Sequence, residues 1–230
     1  MRDVPFTRSL PGRLWQRRET MRADWDRRAR ENAPFYVCTT ASESPASFEE
    51  SGERDLETHV LDGLAVSREW RALEIGCGVG RLVKPLSRRV TRVVGVDVSD
   101  EMLRRARDYC NGLPNVELHA TDGRLDFLTA GSFDFVFSHI VFQHVPRKAY
   151  VETYFREAFR VLAPGGTFRV QVDGRARQVF RRWIADSWSG VVFSARELRR
   201  RLGRTGFHVT EIRGAGTQYP RATAIKPKEG

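Results

Sequence analysis

From Arg71 onward, short apolar runs alternate with amphipathic segments of helical period, the pattern of a parallel sheet covered by helices. The runs predict strands at Arg71 to Ile75, Arg92 to Asp97, Val116 to Ala120, Phe133 to Ser138 and Thr167 to Val172. Helices are predicted at about Arg81 to Arg89, Asp100 to Asn111, Arg147 to Leu162 and Ala195 to Leu202. Two late apolar segments, Phe207 to Ile212 and Thr217 to Ile225, flank Gly214-Ala215-Gly216 and predict a closing hairpin. The earlier pattern differs. Arg13 to Arg30 sets Leu14, Trp15, Met21 and Trp25 among charges and predicts a leading helix that Pro34 ends. The serine-rich stretch Ala41 to Ser51 reads as a loop, and Glu53 to Val66 regains helical spacing through Leu56, Val60, Leu61 and Leu64. The expected organisation is an N-terminal helical lid over residues 1–66, a doubly wound domain over 67–230, and a lid insert at about 173–193.

Composition leaves this picture intact. The chain has 230 residues, 40% hydrophobic and 30% charged, which suits one globular domain, and no apolar run reaches the ~20 residues of a membrane span. Three cysteines and a start without an apolar signal core predict a cytoplasmic protein, as a monomer or homodimer. Net charge +10 raises the question of a nucleic-acid partner. The arginines, however, come in scattered pairs such as Arg88-Arg89 and Arg104-Arg105, the mark of solvated helix faces. No zinc-like ligand spacing occurs, so no metal is expected.

The chemistry concentrates after the first strand, where Glu74-Ile75 runs into Gly76-Cys77-Gly78-Val79-Gly80 and then a helix. Glycines permit a sharp turn and close approach of a ligand to the backbone. Asp97, some twenty residues on at the end of the next apolar run, is placed to accept hydrogen bonds from a ribose, so an adenosine-containing ligand is predicted. The third glycine comes one residue earlier than in a dinucleotide fingerprint, which argues against nicotinamide. Cys77 reads as a small buried residue rather than a nucleophile.

This segment resembles the class I S-adenosylmethionine (SAM)-dependent methyltransferases of the small-molecule kind. Glu74 to Gly80 is similar to their first motif. The likeness continues through Gly95-Val96-Asp97-Val98-Ser99, Ala120-Thr121-Asp122-Gly123, Phe133 to Ser138 and Val161 to Gly166. The resemblance implies a Rossmann-like α/β sheet of seven strands, order 3-2-1-4-5-7-6 with strand 7 antiparallel. It implies SAM as cofactor and S-adenosylhomocysteine (SAH) as product. Glu74, Gly76, Gly78, Gly80, Asp97, Val98 and Met102 would line its site, with Asp97 on the ribose and Asp122 with Gly123 at the adenine. Ser138 and His139 would face the sulfonium end, and Tyr36 would close over the cofactor.

Methyl transfer needs an acceptor held in line and, for a hydroxyl or ammonium, relieved of a proton. His139 and His144 lie just beyond the fourth strand, at the sheet edge where ligands bind in open α/β folds. His144 is the expected base, with His139 and Gln143 shaping the pocket. Trp15, Trp25, Phe35 and Tyr36 in the leading segment, and Phe180, Trp183, Trp188 and Phe193 in the insert, suggest a small apolar or aromatic acceptor, with Trp183 and Trp188 in its pocket. Pro164-Gly165-Gly166 reads as a turn without chemistry. Two alternatives stand beside this reading: an RNA methyltransferase, favoured by the charge, and a SAM-binding protein that transfers no methyl. Ser138-His139-Ile140-Val141 lacks the Pro-Pro-aromatic and Pro-Cys signatures of base-modifying enzymes.

Overall fold

The structure is a computed structural model that describes residues 18–39, 44–175 and 190–228. Trp15, Phe180, Trp183 and Trp188 lie outside the described residues. Seven strands form one sheet in the order β3-β2-β1-β4-β5-β7-β6: β1 (Arg71–Ile75), β2 (Arg92–Asp97), β3 (Val116–Ala120), β4 (Phe133–Ser138), β5 (Leu162–Gln171), β6 (His208–Arg213) and β7 (Arg221–Ile225). β1 to β5 pair in parallel, and β7 is antiparallel to both β5 and β6. The expected sheet is the observed one.

Side chains alternate across the strands, so each strand feeds two cores. Leu73, Val94, Val136 and Phe168 face α5 (Lys148–Val161) and α6 (Ala195–Thr205), meeting Phe155, Leu198 and Leu202. Their neighbours Ala72, Val93, Phe135 and Phe137 face the other way, toward Leu56, Val60, Leu86 and Leu103. That second face is covered by α2 (Pro45–Asp55), a π-helical turn at Leu56–Val60, α3 (Val83–Ser87) and α4 (Asp100–Tyr109). Residues 56–61 are therefore core, not a detachable lid. Among the described residues no helix is long and apolar enough to cross a membrane.

Several boundaries differ from expectation for identifiable reasons. α1 (Arg18–Val37) is two helical segments joined at a kink: Asn32 leaves helical geometry (φ −166, ψ 81), so the leading segment stops just before Pro34, and a short second segment, not expected, starts there. Asn32 Oδ1 accepts the Phe35 N–H at 3.2 Å, and Pro34 then sits in a first turn, where a missing N–H costs nothing. The serine-rich stretch is half helix. Ser44 caps α2 in a reciprocal box with Ser47, a serine in the place usually taken by Glu, and Pro45 follows as the first residue. The helix expected to reach Val66 stops at Val60, where arginines from later strands take its carbonyls. Arg169 donates to Val60 O (3.0 Å) and Asp62 O (2.7 Å), and Arg221 donates to His59 O (2.5 Å). Pro164-Gly165-Gly166 lies within β5, not before it, at a register shift against β4.

Candidate functional site

The glycine loop is built by backbone bonds to β2. The N–H groups of Gly76 and Cys77 donate to Val96 O at 2.7 and 3.0 Å. Gly78 N–H donates to Asp97 Oδ2 (2.8 Å) and Ser99 N–H to Oδ1 (2.9 Å), so the Asp97 carboxylate ties the loop to the start of α4. Burial raises the Asp97 pKa, and these bonds oppose the rise. The glycines divide by task. A Cβ on Gly76 would stand 2.4 Å from Val141 Cγ2, and on Gly80 2.8 Å from Cys110 Sγ. Gly76 and Gly78 border the cleft, whereas Gly80 serves the packing of α4.

An open cleft lies over this loop. One wall is Glu74, Gly76, Cys77, Gly78, Asp97, Val98 and Met102, all expected there except Cys77. The cleft is also lined by Met21, Trp25 and Tyr36 of α1 and by His139, Ile140, Val141, His144 and Tyr154, with Val141 against Gly76 and Trp25 against His144. A second hollow continues past Val98 to Thr121 and Asp122, bordered by Met21, Arg22 and Asp26. Gly123 is a buried turn residue (φ 105) behind Asp122 and borders neither hollow. Ser138 does not reach the cleft either. Its hydroxyl donates to Ile75 O at 2.9 Å, tying β4 to β1 instead of lining a ligand.

The cleft holds buried polar atoms without partners. Glu74 is 3% exposed and its Oε2 has no hydrogen-bond partner. Burial pushes its carboxyl up to about 8, aided by Asp97 and opposed by Arg81. Arg81, also buried, donates through Nη1 to Asp55 (2.9 Å) and Ser51 (3.2 Å), while its Nε is unpartnered. The Cys77 thiol is raised well above its usual range by burial, the opposite of an activated nucleophile.

The two histidines differ. His139 stacks on His59 from the π-helical turn, with ring centres 5.6 Å apart and planes at 18°. Burial lowers its pKa to about 3; Asp55 opposes this, and Arg81, His59 and Arg221 reinforce it. His144 is buried, with the Trp25 ring edge-on at 5.3 Å and Gln143 Nε2 3.1 Å from its Nε2. Gln143 shapes the site through that contact and does not itself border the cleft. Ile140, between Val141 and His139, has φ 57, a left-handed backbone that costs a β-branched residue ~1–3 kcal/mol. Its N–H is held by Gln171 Oε1 at 2.9 Å.

α1 is held to α4 by side chains. Asp26 Oδ1 accepts from Ser99 Oγ (2.6 Å) and Glu101 N–H (3.1 Å), and Arg22 pairs with Asp100 at 3.6 Å. Arg28, bonded to Asp24, lies over the rings of Trp25 and Tyr36 at 5.8 and 5.1 Å and sets the shape of this cover. Sequence reasoning missed Arg81, His59, Ile140, Gln171, Asp26 and Tyr154. Only Arg81, adjoining the loop, carried a local signal.

Residues 73–170 match the family described as Methyltransferase domain. The chain is 29% identical over 150 residues to trans-aconitate 2-methyltransferase of Rhodopseudomonas palustris, covering 62% of this chain and 56% of that protein. It is 33% identical over 148 residues to the S-adenosyl-L-methionine-dependent Diels-Alderase iccD of Talaromyces variabilis, covering 61% and 49%. It thus spans about half the length of these curated relatives. Its fold is that of a SAM-dependent methyltransferase from Aquifex aeolicus, with TM-score 0.62 and 21% identity over 84% of this chain and 98% of the other. With the glycine loop, Asp97 and the strand order in place, residues 73–170 carry the likeness to the methyltransferase domain, and the sheet has the fold of the class I methyltransferases.

Proposed function

We propose that the protein is a SAM-dependent methyltransferase acting on an oxygen or nitrogen of a small apolar or aromatic acceptor. The observation that carries this is the continuity of one cleft, in which buried Glu74, with its Oε2 unpartnered, lies beside Gly76 and Gly78 and the lining continues through Trp25, Tyr36, Val141 and Tyr154.

The residues present fit SAM. Glu74 Oε2 is an unsatisfied buried acceptor suited to an ammonium, and the absent side chains at Gly76 and Gly78 leave room along the loop. Asp97 has lone pairs beyond the two N–H bonds it accepts, and these suit ribose hydroxyls. Val98 and Met102 flank the path toward Asp122, where the adenine would lie. Tyr36, over the Arg28 guanidinium, closes the cover. SAM supplies an electrophilic methyl group on a sulfonium. The protein's share is to hold the acceptor in line, exclude water and remove the acceptor's proton.

For that proton His144 is the better base. A ring whose pKa lies near 3, as at His139, is a poor proton acceptor near neutrality, so His139 shapes the wall. Gln143 Nε2 lies 3.1 Å from His144 Nε2, and this contact with the edge-on Trp25 ring orients the imidazole. Calorimetry with SAM and SAH tests the cofactor, and failure to bind either rejects the reading. At saturating acceptor, His144→Ala is expected to lower turnover by about 100-fold or more and His139→Ala by less than tenfold. Wild-type turnover in both would exclude a histidine base.

A second reading, SAM binding without methyl transfer, is favoured by the likeness to a SAM-dependent Diels-Alderase. It predicts product without SAH. The RNA reading is weakened by ion pairing. Arg88 pairs with Glu49 and Glu53, Arg89 with Glu53 and Glu57, and both Arg104 and Arg105 with Glu101, so these pairs are compensated charge. Steep salt dependence of RNA affinity would revive it.

A further inference from the structure

We propose that Gln171 is a positioning residue that locks the left-handed turn His139–Ile140–Val141 as the acceptor-facing wall of the cleft and so places His144. The role of the wall rests on the methyltransferase reading; the lock does not. Left-handed geometry is ordinarily given to glycine, and here it is imposed on isoleucine, whose side chain borders the cleft. Two contacts impose it. Gln171 Oε1 takes the Ile140 N–H, and the branched head of Val141 fills the space that a side chain on Gly76 would need. The amide orientation is fixed, because its Nε2 in that place would set donor against donor.

Gln171 is itself rigid. It is 3% exposed at the end of β5 and paired in register with Arg221 of β7, so the sheet carries its amide to one point. The effect passes onward through backbone. His144 N–H donates to Val141 O at 2.9 Å, so the turn bearing His144 starts where the locked turn ends. The charged and titratable groups facing His139 (Asp55, Arg81, His59 and Arg221) come from other elements, and Arg221 among them is the register partner of Gln171 on β7. Gln171 Nε2 has no partner among the described residues, so the amide acts on the turn through its oxygen.

The test uses the full chain with Gln171→Met, which keeps length and removes the acceptor, Gln171→Glu, which keeps an acceptor oxygen, and Ile140→Gly, which adopts left-handed geometry without strain. Carbon-13 NMR of the histidine ring carbons reports the wall directly. In Q171M, the His139 pKa is expected to rise from its lowered value as the wall loosens, and the His144 resonance to shift, while Q171E keeps both near their wild-type positions. Q171M is also expected to lower Tm by about 4–8 °C, and by less than half as much in the I140G background. A folded Q171M with wild-type histidine titration, or an equal Tm loss in both backgrounds, overturns the proposal. If Q171M does not fold alone, the I140G/Q171M double variant is expected to fold, and its failure overturns the proposal too. SAH calorimetry on the wild type separates this outcome from the methyltransferase reading, since the lock is read without cofactor.

Discussion

The two walls of the cleft are built on different principles. On the sheet side, Gly76, Cys77 and Gly78 are fixed by main-chain bonds to Val96 and by the Asp97 carboxylate, within a few residues of the strand ends that define the fold. On the helical side, α1 is fixed by side chains alone: Asp26 on the start of α4, Arg22 on Asp100, and Trp25 against His144. The first wall is inseparable from the sheet; the second can change without disturbing it. A fold that serves many acceptors needs this division, because ligand-facing side chains on a separable cover can vary while the cofactor wall stays constant.

Asp97→Ala tests the first wall most severely. It removes a carboxylate that both shapes the loop and faces the ligand, so SAH affinity should fall by about 100-fold or more by calorimetry. A loss under threefold would mean that the sheet-side wall is not the cofactor wall. Glu74→Gln comes next and acts through pH. Glutamate in the unfolded chain titrates near 4.5 and buried Glu74 near 8. Between these values the native state keeps a proton that the unfolded state has lost, so stability falls as pH rises through this window. The variant should melt with the wild type near pH 4 and higher by about 10 °C or more at pH 9; a constant difference across pH would contradict the buried-acid account. The smallest effect belongs to the cover. Asp26→Ala forfeits a helix cap worth about 1 kcal/mol and should lower Tm by about 2–4 °C, with SAH affinity within about threefold. An affinity loss as large as that of Asp97→Ala would erase the contrast between the walls.

The same contrast explains what could be read from the sequence. Every strand and the loop from Glu74 to Gly80 announce themselves locally, through alternating apolar runs and glycines at a turn, and their partners follow from a sheet order shared by the family. Asp26 looks like any polar residue on an amphipathic helix; only the fold brings it 73 positions along the chain to Ser99. Ser138 shows the reverse error. A hydroxyl at a strand tip suggests a ligand contact, but an unpaired carbonyl at Ile75 claimed it. Gln171 and Ile140 gave no signal, since left-handed backbone at isoleucine is contrary to its propensity and arises from tertiary contacts. The serines before α2 misled because one capping residue, Ser44, outweighs the apparent loop composition, and after the break near Pro34 Asn32 caps a second segment that the sequence did not announce.

The arginines that cap the π-helical turn bear on the order in which the chain becomes whole. Arg221 reaches His59 across 162 positions and Arg169 reaches Val60 across 109. As the polypeptide leaves the ribosome, the carbonyls of residues 59–62 wait through synthesis of the entire parallel sheet before their last donor exists. Until then His59 has no fixed place against His139, so the cofactor loop can form early while the floor beside it is finished last.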